Sequence, residues 1–132
     1  MIYRIEIQTH HRNELLDITD KVSEVIKKSN VKSGTAIIFV PHTTAAITLN
    51  ENYDPSVVRD ITDNLSRLFP KSGHYAHTEG NADAHIKSAL IGASQVVFFE
   101  NGQILFGTWQ GIFFCEFDGP RRREVFVKII SD

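Results

Sequence analysis

The chain has 132 residues and a mass of 14.9 kDa, the size of one ordinary domain. Hydrophobic residues make up 42% and charged residues 23%, a globular balance that excludes a disordered or fibrous chain. Fourteen basic against sixteen acidic residues leave a net charge of −2, without the basic excess that marks partners such as nucleic acid or a membrane surface.

The opening run Ile2–Ile7 sets Ile5 and Ile7 on one face and Arg4 and Glu6 on the other, which is a strand period. From Asp17 to Asn30 the apolar stripe Ile18, Val22, Val25 and Ile26 predicts a helix, with Lys27 and Lys28 suiting its C-terminal dipole. Ser33-Gly34 turns the chain into the β-branched run Ala36–Val40, read as a buried strand, and Thr44–Asn50 is read as its neighbour. Asp54 and Pro55 open the clearest helix, with a capping carboxylate and a proline at the first helical position. Val57, Val58, Ile61, Leu65, Leu68 and Phe69 recur at helical spacing until Pro70 and Gly73. A further helix is expected from Asn81 or Asp83 to Gly92. The last third reads as strands over Gln95–Phe99, Gln103–Gln110, Ile112–Phe117 and Glu124–Ile130, with Asn101-Gly102 as a hairpin turn. The expected fold class is α+β: one domain over residues 1–132, a compact β-sandwich or antiparallel sheet with covering helices.

Cys115 is the single cysteine, and its place in Phe113-Phe114-Cys115 suits a core thiol in a reducing compartment. No apolar stretch is long enough to cross a bilayer, and the first residues alternate rather than forming a secretory signal. The expected location is cytoplasmic.

Polar residues that suit chemistry gather in three stretches, Pro41–Thr44, Asn50–Asp54 and Tyr75–His85, which hold three of the six histidines and four acidic residues. Each sits at the edge of an element, where rigid scaffolds present functional groups. In the third stretch His77 and Glu79 share a face if extended, and Asp83 and His85 fall in the first helical turn. Imidazoles and carboxylates so placed suit a divalent metal with an open position, although the spacing matches no zinc signature. A polar loop with Asn81 as helix cap is the structural alternative. Asn50, Glu51 and Asp54 read either as a turn with an N-cap or as a cation- or proton-handling group. Arg121, Arg122 and Arg123 either solvate a hairpin or clamp a phosphate through bidentate guanidinium contacts. Trp109, flanked by Gly107 and Gly111, hints at close backbone approach. His10, His11 and His74 read as surface residues.

Four blocks in order resemble the YjbQ-type family, also called the secondary thiamine-phosphate synthase family. They are His42–Thr48, Asn50–Pro55, Tyr75–Lys87, and Gly107–Gly111 followed by Asp118–Arg121. The resemblance implies a compact α+β fold, a homotrimer and a pocket near subunit boundaries. It also implies joining a hydroxymethylpyrimidine diphosphate to a thiazole phosphate with loss of diphosphate. That chemistry calls for a cation and arginines at the leaving group. The residues that follow from the resemblance and the chemistry are His42, Glu51, Asp54 and His77 for catalysis. His42, His77 and His85 are the expected ligands of a divalent metal, zinc or magnesium. Thr43, Thr44, Asn50, Asn81, Gln110, Arg121 and Arg123 are expected to hold the phosphorylated substrate. A metal-dependent hydrolase on the same residues and a non-catalytic trimeric ligand-binding protein are the competing expectations.

Overall fold

The computed structural model describes all 132 residues. In chain order the elements are β1 (Ile2–Gln8), β2 (Glu14–Asp17), α1 (Thr19–Ser29), β3 (Gly34–Phe39), β4 (Ala45–Glu51), α2 (Pro55–Leu68), α3 (Ala82–Ile91), β5 (Ser94–Glu100), β6 (Gln103–Ile104), β7 (Gln110–Glu116) and β8 (Arg122–Ser131). The strands form two antiparallel sheets, a five-stranded one in the order β1-β8-β3-β5-β6 and a three-stranded one in the order β2-β7-β4.

The two sheets share one core. Ile5, Ile38, Val97 and Val127 from the large sheet meet Ile47, Ile112 and Phe114 from the small one, and α1 adds Val22, Val25 and Ile26. Period-two alternation in β1 and β8 puts Ile5, Ile7, Val125, Val127 and Ile129 on that inner face. β7 is buried from Gly111 to Glu116 because it has a strand on each side, the core on one face and helices on the other. A second cluster of Ala46, Ala84, Cys115 and Phe117 joins the outer face of the small sheet to α3, with Leu65 of α2 packed against it.

The outer face of the large sheet is less usual. Phe39, Val96, Phe98, Leu105 and Ile130 expose 44–61% of their surface there. The register sets Ile37 opposite Val96, and Thr35 opposite both Phe98 and Ile130, so these side chains form one surface. α2 is also incompletely covered: its apolar stripe is strong, yet none of its residues is buried.

The structure corrects the sequence reading at four places. β4 is not the neighbour of β3: it pairs with β7 in the small sheet, while β3 lies between β8 and β5. Gln103–Gln110 is not one strand. β6 ends at Ile104, and a turn closes when the Gln110 N–H donates to Gly107 O at 3.2 Å and the Gly107 N–H donates to Gln110 Oε1 at 2.9 Å. β2 was absent from the expectation; four residues carry too little periodicity to announce a strand, and pairing with β7 creates it. α1 begins at Thr19 rather than Asp17, because Asp17 Oδ1 accepts the Thr19 N–H at 2.9 Å and the chain up to Asp17 stays paired to β7. The Asn101-Gly102 turn stands as read, both residues having positive φ (51° and 74°) as a two-residue hairpin requires.

Candidate functional site

β4 is the ruler on which the site residues are laid out. His42, Thr43 and Thr44 lie before its first residue, while Asn50 and Glu51 end it. Six steps at ~3.4 Å separate these groups by about 20 Å. The residues expected to form one site therefore fall at the two ends of a single strand.

At the first end, His42, Thr43, His85 and Ser88 line a cleft of about 380 Å³ between the β3–β4 loop and α3, with Ala45, Ala89, Gly92 and Ala93 completing it. His85 and Ser88 are three residues apart on α3 and so share a face. No carboxylate lines this cleft. His42 is fixed from behind: its Nε2 accepts the Glu124 N–H at 2.9 Å. An amide can donate only to a nitrogen that carries no proton, so neutral His42 holds its proton on Nδ1. Burial, and then the nearby Arg123 charge, lower the pKa of His42 below that of an ordinary imidazole, against the carboxylates of Glu116 and Glu124. The Ser88 hydroxyl is buried and has no partner.

A second cleft of about 360 Å³ adjoins the first through His85, lined by Tyr75, Ala76, His77, Ala82, His85 and Ile86. The His77 and His85 rings meet edge to face with centroids 5.3 Å apart, and His77 Nε2 lies 3.6 Å from Glu79 Oε2.

Under these clefts are two buried charge networks. Arg123 Nε donates to Glu116 Oε1 at 2.9 Å, and a terminal nitrogen donates to Glu116 Oε2 and to the hydroxyl and carbonyl of Thr44. Glu116 also accepts from the Thr9 hydroxyl and the Asp118 N–H. Burial opposes the ionisation of Glu116 and is its largest single influence, but Arg123, the Asp118 amide and Thr9 outweigh it and hold the carboxyl below its usual range. The second network joins Asp83 to Lys87 at 3.1 Å and to Arg12 at 2.9 Å, with Lys87 also donating to Asn13. Asp118 accepts from Asn81, Arg12 and Arg121. Here too burial raises the carboxyl pKa, and these three partners overcome it. Together the networks pin α3, and with it His85 and Ser88, against the β1–β2 loop and the turn before β8.

At the far end of β4, Asn50 Oδ1 accepts the Glu51 N–H, Glu51 Oε2 accepts the Asp54 N–H, and Asp54 Oδ1 caps α2 through the Ser56 N–H. The two Ser56 contacts, amide then hydroxyl, lower the pKa of Asp54. Tyr53 and Trp109 are exposed neighbours with ring centroids 5.3 Å apart. Gly111 is buried against the Asn52 amide, which a Cβ would strike. That bears out the close approach hinted at by the flanking glycines; Gly107 makes none.

Several expected roles change in this light. Arg123 is buried and bound to Glu116 and Thr44, so it forms the floor of the site rather than a phosphate clamp. Thr44 is buried as its partner, not a substrate contact. Arg121 is exposed and folds back on Asp118, donating to its carbonyl and carboxylate oxygens. Asn81 stands at the start of α3 without capping it; its amide goes to Asp118 instead. Gln110 closes its own turn. His42, Thr43 and His85 share one cleft, and His77 reaches the group through His85. The expected ligand set His42, His77 and His85 does not fit a metal within one chain. Nε2 of His42 is engaged by Glu124, and no three His, Cys, Asp or Glu side chains are grouped so as to hold a metal ion. Ser88 escaped the sequence reading, although its i+3 spacing from His85 was the available signal. Glu116 escaped it as a site residue because only the fold stacks it on Arg123.

The family model described as UPF0047 protein YjbQ-like matches residues 3–132. The chain belongs to the YjbQ family. Relatives span it almost completely. UPF0047 protein MJ1081 of Methanocaldococcus jannaschii is 58% identical over 132 residues, covering 100% of this chain and 96% of that protein. UPF0047 protein YugU of Bacillus subtilis is 46% identical, covering 99% and 100%. A crystal structure of a YjbQ/UPF0047 protein from Clostridium acetobutylicum superposes with a TM-score of 0.95 at 53% identity, covering 97% of this chain and 99% of that one. A YbjQ-like protein of Sulfolobus solfataricus gives 0.94 at 36% identity, covering 100% and 97%. In this YjbQ-family chain no helix is long and apolar enough to cross a membrane.

Proposed function

We propose that this chain works as a thiamine-phosphate synthase-like transferase, joining a hydroxymethylpyrimidine diphosphate to a thiazole phosphate and releasing diphosphate. The observation that carries the reading is the pair of clefts meeting at His85. One is lined by hydrogen-bond donors without a carboxylate, which suits a diphosphate. The other is mostly apolar with Tyr75 at its rim, which suits a flat heterocycle. In the reaction the thiazole nitrogen attacks the methylene carbon of the pyrimidine, a C–N bond forms, and the C–O pair leaves with the diphosphate. The heterocycle is already the nucleophile, so the protein must orient two rings and stabilise the departing charge. The proposal keeps zinc or magnesium only as an ion accompanying the diphosphate.

The active form in this proposal is a homotrimer in the cytoplasm, where a lone thiol stays reduced. Support comes from the two ends of β4: a neighbouring chain that brings Glu51 or Asp54 to the histidine clefts would reunite residues that one chain holds about 20 Å apart. The exposed apolar face of the large sheet gives such a neighbour a surface to cover.

The test is product formation from the two synthetic substrates, with parent and His85→Ala proteins compared with and without magnesium or zinc. The expected result is coupled product and diphosphate, greatly reduced by the substitution. Diphosphate released from the pyrimidine alone would assign a hydrolase, and saturable binding without turnover would assign a binding protein.

A further inference from the structure

We propose that the His42–Ser88 cleft takes a phosphate-class oxyanion directly, on the Nδ1–H of His42 and the hydroxyl of Ser88, with no metal ion on His42. Three independent observations converge on it. The first is the tautomer. The Glu124 N–H at 2.9 Å from Nε2 leaves His42 with a protonated Nδ1 as its free edge, a donor and not a ligand. A metal-binding histidine shows the opposite arrangement, with the second nitrogen donating to an acceptor and a lone pair aimed at the ion.

The second is the orphan hydroxyl. Ser88 is 7% exposed and lines the same cleft; its Oγ is itself sealed from solvent and has no hydrogen-bond partner within the protein, so it meets a ligand once χ1 turns it outward. A buried polar atom left unpaired calls for an explanation, and a bound oxygen acceptor supplies one. Its neighbour Thr43 is exposed on the cleft rim and brings a further hydroxyl.

The third is what the cleft lacks. Of its eight lining residues none is acidic, although the chain carries sixteen acidic residues and several lie a few residues away. Asp83 is turned inward onto Lys87 and Arg12, and Glu116 is turned onto Arg123. The fold thus neutralises Asp83 and Glu116 on internal cations, and the exposed Glu124, whose amide holds His42, lies outside the cleft lining, which leaves donors facing the cleft. Hard cations need oxygen anions around them, whereas an oxyanion needs donors.

The inference deepens the proposed transferase by assigning the diphosphate end of its substrate to this cleft, and it rests on that reading only for the identity of the natural ligand. The shared chemistry is a phosphate oxygen, whether on free phosphate or on an organic diphosphate.

The probe is inorganic diphosphate, titrated by calorimetry into full-length protein treated with EDTA, with inorganic phosphate as a second arm. Binding should persist without metal. His42→Ala and Ser88→Ala should each weaken it about tenfold or more, the size of a lost hydrogen bond to a charged group. Ser88→Ala should leave the unliganded protein at least as stable as the parent, since it removes an unpaired hydroxyl. Nitrogen-15 spectra of the parent should show His42 protonated at Nδ1 and bare at Nε2, with Nδ1 responding to diphosphate. Binding that appears only with added zinc or magnesium would overturn the inference. So would parent-like affinity in both variants, loss of stability in Ser88→Ala, or a protonated Nε2. Metal-free diphosphate binding by a protein that never joins the heterocycles would remove the transferase reading alone. Turnover with strictly metal-dependent diphosphate binding would remove this inference alone.

Discussion

Replacing Arg123 by methionine should be the most damaging single change in this protein. The side chain is 6% exposed and its partner Glu116 is fully buried. The substitution keeps the apolar stem but strips Glu116 of both guanidinium bonds, leaving the Thr9 hydroxyl and the Asp118 amide. It also removes the donor to the Thr44 hydroxyl and carbonyl. Breaking a buried pair from one side typically costs about 3–5 kcal/mol, because a charge remains in the interior without its counter-ion. For a domain of this size that is a fall in midpoint of roughly 10–20 °C. The pH dependence identifies the cause. In the parent, Glu116 is held below its ordinary value of 4.5. Its contribution is therefore full above that value and lost as pH falls through the lower folded value. In the variant, both contributions of the guanidinium are lost while burial remains, so the folded pKa moves up from its value in the parent. The penalty is then present at neutral pH and shrinks as acid protonates the carboxyl. Urea denaturation at pH 7 and near pH 4.5, at one fixed protein concentration, measures both numbers. A cost under about 1 kcal/mol at pH 7, or one that does not shrink in acid, refutes the reasoning and returns Arg123 to the solvent and to a ligand.

Cys115 is buried and burial pushes its thiol up to about 12. Disulfide reagents should leave it untouched in the native protein at pH 8 and label it fully in denaturant; rapid native labelling would show that the small cluster under α3 opens readily. Gly111→Ala should cost roughly 1–3 kcal/mol by urea titration, because the new methyl meets the Asn52 side chain; a neutral effect would mean that Asn52 swings clear. Light scattering should give about three chain masses for the parent, and Phe98→Asp, on the exposed face of the large sheet, should yield smaller species. A trimer unaffected by that change would point to α2 as the contact instead.

The clearest elements were legible because their signals are local. Asp54 and Pro55 start α2 through a cap and a fixed dihedral, and the Asn101-Gly102 pair makes a hairpin turn through its tolerance of positive φ. The alternation in β1 and the stripe in α1 each report a buried face that the fold then uses. β2 was not legible, because its existence depends on an edge of β7 presented by distant sequence.

The candidate site divides in the same way. That His42, His77 and His85 belong near one another was available from the sequence through the family blocks, and the two clefts joined at His85 agree with it. Their chemical state was not available. The tautomer of His42 depends on an amide 82 positions away, and the fate of Arg123 depends on Glu116 and Thr44 meeting it across two sheets. Whether a side chain donates, accepts, binds or merely fills space is set by what the fold places within about 3 Å of it. Residue types and spacing determined which groups this protein can bring to a site; only the tertiary structure decided that the arginine lies beneath it and that the histidine offers a proton.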